Sequence, residues 1–143
     1  MKKMLLSMSL ITAIFTTGVL AQDLKEKDVP KTVKDAFSKK YPDVKKASWE
    51  KEKGNYEANW GGKSGEDNSV IFSPDGNFLE IVVAIPVSQL PASVAPYVAK
   101  HYNGATIKEA GKLTDASGKH MFEAEIKGKD LIFDEKGVFI KED

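Results

Sequence analysis

The chain has 143 residues, with 21 lysines balanced against 21 acids, no arginine and no cysteine. That length holds one domain. A balanced charge without arginine, the residue best suited to bidentate phosphate and carboxylate contacts, argues against nucleic-acid binding. The absence of thiols excludes disulfides and cysteine nucleophiles, so an exported chain of this kind must be held by its hydrophobic core alone.

Residues 1–21 read as a cleavable signal peptide. Lys2 and Lys3 supply the positive start, Met4 to Ala21 is uncharged and largely apolar, and Val19-Leu20-Ala21 precedes the cleavage point before Gln22. The stretch approaches the ~20 apolar residues of a bilayer span, but Ser7, Ser9, Thr12, Thr16 and Thr17 dilute it and Gln-Asp-Leu-Lys-Glu follows at once. No cysteine follows to carry a lipid. The expectation is a periplasmic or secreted protein with no membrane contact after cleavage, and with 19 lysines facing 21 acids.

Residues 22–28 are polar and aperiodic, and are expected to be a flexible leader. A tandem repeat follows. Pro30, Val33, Lys39 and Tyr41 recur 61 residues later as Pro91, Val94, Lys100 and Tyr102, and Ile71, Phe72, Gly76 and Phe78 recur as Ile132, Phe133, Gly137 and Phe139. Between them Tyr56-Glu57-Ala58 matches Phe122-Glu123-Ala124 at a spacing of 66, so the second copy gains five residues in one loop and loses five in the next. Repeat 1 spans about 29–85 and repeat 2 about 90–143. The join at residues 86–89 is too short for independent domains, so one shared core is expected.

Each repeat opens with an amphipathic helix. Val33, Phe37 and Tyr41, with Ala36 beside them, share one face, Pro30 suits the first turn and Pro42 ends the helix. The second helix uses Val94, Val98 and Tyr102. Pro96 would break a helix begun at Pro91, so the spacing predicts a shorter or kinked helix starting near Ser93, with the serine hydroxyl as cap. Four strands follow each helix. In repeat 1 they are residues 45–52, 55–60, 69–73 and 77–85, with Pro74-Asp75-Gly76 a strong turn. In repeat 2 they are residues 106–114, 120–127, 130–134 and 138–141. A helix followed by consecutive short strands, twice, predicts an α+β fold with two helices packed on one face of an antiparallel β-sheet.

Both copies give the same strand parity. Tyr56, Ala58 and Trp60 match Phe122, Ala124 and Ile126 as the core face, which turns Glu57, Asn59, Glu123 and Glu125 toward water. Burying four such groups without partners would cost roughly 1–3 kcal/mol each. The same parity puts Phe78 and Phe139 on the open face beside Glu80 and Lys141, unless a bulge after the Asp75-Gly76 turn tucks them inward; Trp49 is a similar case.

A cleavable signal, a proline-opened helix, and a four-strand meander with a Tyr/Phe-Glu-Ala strand and a closing Gly-x-Phe hairpin, all in tandem, resemble the PepSY-like, beta-lactamase-inhibitor-like proteins of secreted Bacteroidetes sets. The resemblance covers both repeats. It implies a compact periplasmic unit whose open sheet face binds an enzyme, and PepSY domains elsewhere are associated with protease propeptides and inhibition. No catalytic residues carry over, and the chain lacks the disulfides of the inhibitors.

The residues themselves carry little chemistry. His101 ends a helix, His120 opens a strand, and neither is duplicated, so no metal site is expected. Gly62-Lys63-Ser64 lacks the first glycine of a phosphate loop, whose place is Glu57. The loops at residues 65–68 and 73–77 do not fit the twelve-residue calcium loop. Glu57 and Glu123 could serve acid–base hydrolysis only in a dry pocket; on an open face they stay ionised. With no catalytic residue and no cofactor expected, the leading expectation is a non-enzymatic binding or inhibitor-like module. It would meet an unidentified periplasmic or extracellular protein through Glu57, Asn59, Glu123, Glu125, Phe78 and Phe139. The alternative is an envelope protein that binds a metal or small ligand.

Overall fold

The computed structural model describes residues 21–143, so all of the signal segment except Ala21 lies outside the described residues. Helix α1 (Lys31–Lys40) buries Val33 and Phe37 and stops at Tyr41, before Pro42. Helix α2 (Val94–His101) buries Val94 and Val98 and is two residues shorter than α1. Pro96 falls in its first turn, where a missing N–H breaks no bond. The expected serine cap is not made: Ser93 Oγ instead donates to the Gly137 carbonyl at 2.8 Å.

The strands are β1 (Gln22–Leu24), β2 (Ser48–Glu52), β3 (Asn55–Trp60), β4 (Asn68–Phe72), β5 (Phe78–Ile85), β6 (Glu109–Asp115), β7 (His120–Ile126), β8 (Lys129–Asp134) and β9 (Phe139–Glu142). They form one antiparallel sheet in chain order. Both helices lie on the same side, giving the α+β architecture expected. The five-residue loop exchange is real, because Ala58 pairs with Val70 and Ala124 with Leu131 in the same register.

Residues 22–28 are not a loose leader. Gln22, Asp23 and Leu24 pair with Lys51, Glu50 and Trp49. Their equivalents 61 residues on, Val83, Ala84 and Ile85, pair with Lys112, Gly111 and Ala110, the equivalents of those partners. Short 3-10 turns at Glu26–Asp28 and Val87–Gln89 continue the match. The repeat therefore begins at β1, and the eight-residue β5 closes the first copy and opens the second. Leu24 joins the core, which gives this polar segment an apolar anchor. β2 is thus an interior strand, and it starts at Ser48 instead of at residue 45, so Lys45-Lys46 lie in the loop before it.

On the helix side, Phe37, Trp49, Ala58 and Phe72 form one cluster, and Val98, Ala124, Leu131 and Phe133 form another. Trp49 is buried. Phe78 and Phe139 also pack here, which corrects the open-face place that plain parity gave them and follows the bulge alternative instead. The cause is a β-bulge in each copy. Ile71 pairs with Glu80 but Phe72 with Phe78, leaving Leu79 as the extra residue; Ile132 pairs with Lys141 but Phe133 with Phe139, leaving Ile140. One inserted residue reverses the parity of everything before it.

The repeated turns dock the helices. Gly76 and Gly137 adopt φ of +82° and +80°, and a Cβ on them would lie 2.8 Å from the Thr32 carbonyl oxygen and 2.2 Å from Ser93 Oγ respectively. Thr32 Oγ1, the equivalent of Ser93, donates into the matching turn at the Pro74 carbonyl, two residues earlier than the acceptor in repeat 2. Gly137→Ala is expected to cost about 1–2 kcal/mol for the left-handed backbone and further energy for displacing Ser93 and Pro91. Gly118→Ala, at φ +85° in open space, should incur only the backbone cost. Urea denaturation giving the two variants equal midpoints would refute the docking role.

Candidate binding site on the concave sheet face

The side of the sheet opposite the helices is not flat. In a flat sheet β2 and β9 would stand seven strand spacings of ~4.8 Å apart, ~34 Å. Here Lys53 Nζ, at the β2–β3 turn, lies 3.7 Å from Asp143 Oδ1, at the end of β9. These residues sit at diagonally opposite corners, and the accumulated right-handed twist brings them together. Gly111 helps at the middle of the sheet, since a Cβ there would lie 2.3 Å from Val82 Cγ1.

The coiled sheet encloses a basin of about 490 Å³ lined by ten carboxyl side chains and two lysines, Lys53 and Lys141. Asp143 engages both lysines, the second at 2.5 Å. Ile71, Leu79 and Val82 add apolar lining. Leu113 and Ile132, 3% and 2% exposed, are buried on this side of the sheet, outside both helix-side clusters.

Glu123 is held on β7 between Gly111 and Ile132 of the neighbouring strands. Burial pushes its carboxyl up to about 8, with Asp130, Glu80, Glu125 and Glu57 adding repulsion. Burial likewise raises Glu57 to about 7; the Ser69 hydroxyl, which donates to Glu57 Oε1, opposes the rise, and a hydrogen bond with Glu52 adds to it. Glu80 is raised by burial against the pull of Lys141. Asp130 and Glu125 are also raised chiefly by burial.

Glu57, Asn59, Glu123 and Glu125 thus share one face, as their parity required, but that face does not leave them fully solvated. Glu57 and Glu123 are half-buried, and Asn59 is 8% exposed. Phe78 and Phe139 are on the other side. Sequence reasoning missed Asp130, Ser69 and Asp143 as basin residues. Glu80 and Lys141 were placed outward by parity, and their shared repeat position was the available signal that both face this basin. His101 stacks on Tyr97 at 4.3 Å and His120 Nδ1 pairs with Thr114 Oγ1 at 2.9 Å; neither lines the basin. Among the described residues, no group of three or more His, Asp or Glu is gathered closely enough to hold a metal ion.

Fold and site together define a tandem α+β protein with a helix-covered side and a concave acidic side. The chain belongs to the family described as "Putative beta-lactamase-inhibitor-like, PepSY-like", whose model matches residues 17–79 and 61–141. Among solved structures it is similar to a protein of Bacteroides eggerthii described as a putative periplasmic protein. That match has 19% identity and a TM-score of 0.62, over 80% of this chain and 88% of that one. A DUF2874 family protein of Bacteroides ovatus matches at 18% identity and TM-score 0.60, over 80% and 86%. A BLIP-like protein of Bacteroides fragilis matches at 22% identity and TM-score 0.55, over 80% and 84%. At these identities the likeness shows the shared fold. No curated protein gives a significant match. The family takes its description from a likeness to inhibitors, not from an enzymatic activity.

Proposed function

We propose that the chain is a non-enzymatic periplasmic binding module that holds a protein partner in the concave face of its sheet. The observation that carries this is the basin itself: half-buried carboxyls concentrated on the sheet face that neither α1 nor α2 covers. Keeping such groups in place raises the free energy of the isolated protein, which a fold under selection only for stability would avoid. Export rests on the signal-like residues 1–21 and on the periplasmic description of a structurally similar protein. Hydrolysis is a poorer fit. Ser69 donates to Glu57, but the other group hydrogen-bonded to Glu57 is a second acid, Glu52, which raises its pKa without making the serine a better nucleophile, and the remaining acids crowd one another instead of flanking a nucleophile.

Affinity capture from periplasmic extract is expected to recover a specific partner. The Glu57→Lys/Glu123→Lys double variant should lose at least ~90% of it, since truncating or inverting buried interfacial charges costs ~2–5 kcal/mol. The isosteric Glu57→Gln/Glu123→Gln variant guards against simple unfolding. A partner retained by both folded variants would sink the proposal.

A further inference from the structure

Resting on that reading, we propose that the group received by the basin is a lysine or arginine side chain on an extended segment of the partner, seated among Glu57, Glu80 and Glu123 beside the Asn59 amide. Four observations converge on this chemistry. First, ten carboxyls face two lysines, and both lysines lie against Asp143. Among the described residues the central acids therefore have no full counter-charge, and an entering cation supplies one.

Second, Asn59 lines the basin and is 8% exposed, yet its side-chain amide makes no hydrogen bond with a described residue. Its neighbour Ser69 is engaged with Glu57. An amide offers both a donor and an acceptor, and since no side-chain polar atom among the described residues is sealed off without a partner, the Asn59 amide keeps contact with solvent and is available to an entering ligand. The backbone of an extended peptide presents the matching pair.

Third, the lining is mixed. Ile71, Leu79 and Val82 offer apolar surface among the acids. A bare metal ion gains nothing from that surface, whereas the methylene stem of lysine or arginine packs on it. Fourth, about 490 Å³ exceeds what a single ion needs and suits one long side chain with flanking backbone.

The test is an NMR titration of the isotopically labelled protein recovered from the periplasm of an expressing cell. The probe is a capped hexapeptide with two lysines, and its control carries norleucine at both positions. The lysine peptide is expected to shift the Asn59 side-chain amide resonances saturably. Its affinity should fall at least ten-fold in Glu57→Gln/Glu123→Gln and stay unchanged in Glu26→Gln, which lies outside the basin. Equal binding of the norleucine peptide overturns the proposal, as does an Asn59 signal that never moves. So does calcium or spermidine matching the peptide's affinity at the same resonances, which would make the basin a site for free cations. A partner captured through the basin while the lysine peptide fails would overturn the cationic chemistry alone. Failure of both experiments would overturn the binding-module reading with it.

Discussion

Acidification from pH 8 to pH 5 is expected to stabilise this protein, raising its melting temperature by roughly 10 °C, where most globular proteins change little or weaken. The groups responsible are Glu123 and Glu57, pushed up to about 8 and about 7 from an ordinary 4.5. A carboxyl raised on folding binds its proton more tightly in the native than in the unfolded chain. Stability must therefore fall as pH climbs from 4.5 through 7 and 8, and its full contribution is present only below the unfolded value. Each unit of displacement is worth ~1.4 kcal/mol, and because the acids repel one another their effects do not add. A total on the order of 3–4 kcal/mol follows. The groups facing them are Glu50 and Glu52 on β2, Ser69 on β4, Glu80 on β5, Glu125 on β7, Asp130 on β8 and Lys141 on β9. Apart from Ser69 and Lys141, these oppose ionisation. Below about pH 4 the trend should reverse as Asp115 and Glu142, both held below their ordinary values by hydrogen bonds, take up protons. Glu123→Gln should raise the melting temperature at pH 8 and flatten the profile between pH 6 and 8. A profile that is level, or that rises with pH in this window, would show that the basin acids are hydrated like surface groups.

The same electrostatics connect stability to binding. A cation entering the basin gains most where the carboxyls are least comfortable, so the partner-free protein should be weakest at the pH where the proposed complex is strongest. Thermal shift with the lysine hexapeptide would register this as stabilisation at pH 8 that fades toward pH 5.

Much of this architecture was legible in the chain because the fold is written twice. The alternation Tyr56-Glu57-Ala58-Asn59-Trp60, repeated as Phe122 to Ile126, placed the helix side and the acidic side correctly, and the displaced loops were read to the residue. Three things were not legible. The side of Phe78 and Phe139 lies open between plain parity and a bulge after the turn, and because the bulges at Leu79 and Ile140 occur in both copies, comparing the copies cannot decide it; duplication preserves a shared irregularity as faithfully as a shared rule. β1 was hidden by composition. Gln22-Asp23-Leu24 occupies a sheet edge and is polar, whereas its counterpart Val83-Ala84-Ile85 lies inside the sheet and is apolar, so similarity fades where the backbone match is closest. The concavity was hidden because coiling sums small twists over nine strands, and no local pattern marks that Lys53 will meet Asp143. Alternation tells which side a residue faces and says nothing about how far that side curls.

The two halves also solve one packing problem differently, and this gives the largest single-site effect. In repeat 1, Phe37 lies under the helix with ring centroids 5.6 Å from Tyr41, 5.2 Å from Trp49, 5.4 Å from Trp60 and 6.5 Å from Phe72. The equivalent residue 61 positions on is Val98, and Trp49 and Trp60 become Ala110 and Ile126. Repeat 2 recovers an aromatic ring one helical position earlier. Tyr97, where repeat 1 has Ala36, stacks on Phe139 at 4.9 Å and meets Phe133 edge-on at 5.6 Å. Phe37→Ala is expected to destabilise by about 3–5 kcal/mol, the usual loss for a buried ring whose cavity cannot collapse. Phe37→Val, which copies repeat 2, should still cost about 2 kcal/mol, because the two tryptophans stay shaped around a ring that has gone. Val98→Phe should also be destabilising, by about 1–3 kcal/mol, since Tyr97 already fills that space. Urea denaturation of the three variants checks the set. If Phe37→Val and Val98→Phe were both neutral, the two cores would be interchangeable, and the one-position shift of the aromatic ring would carry no energetic meaning.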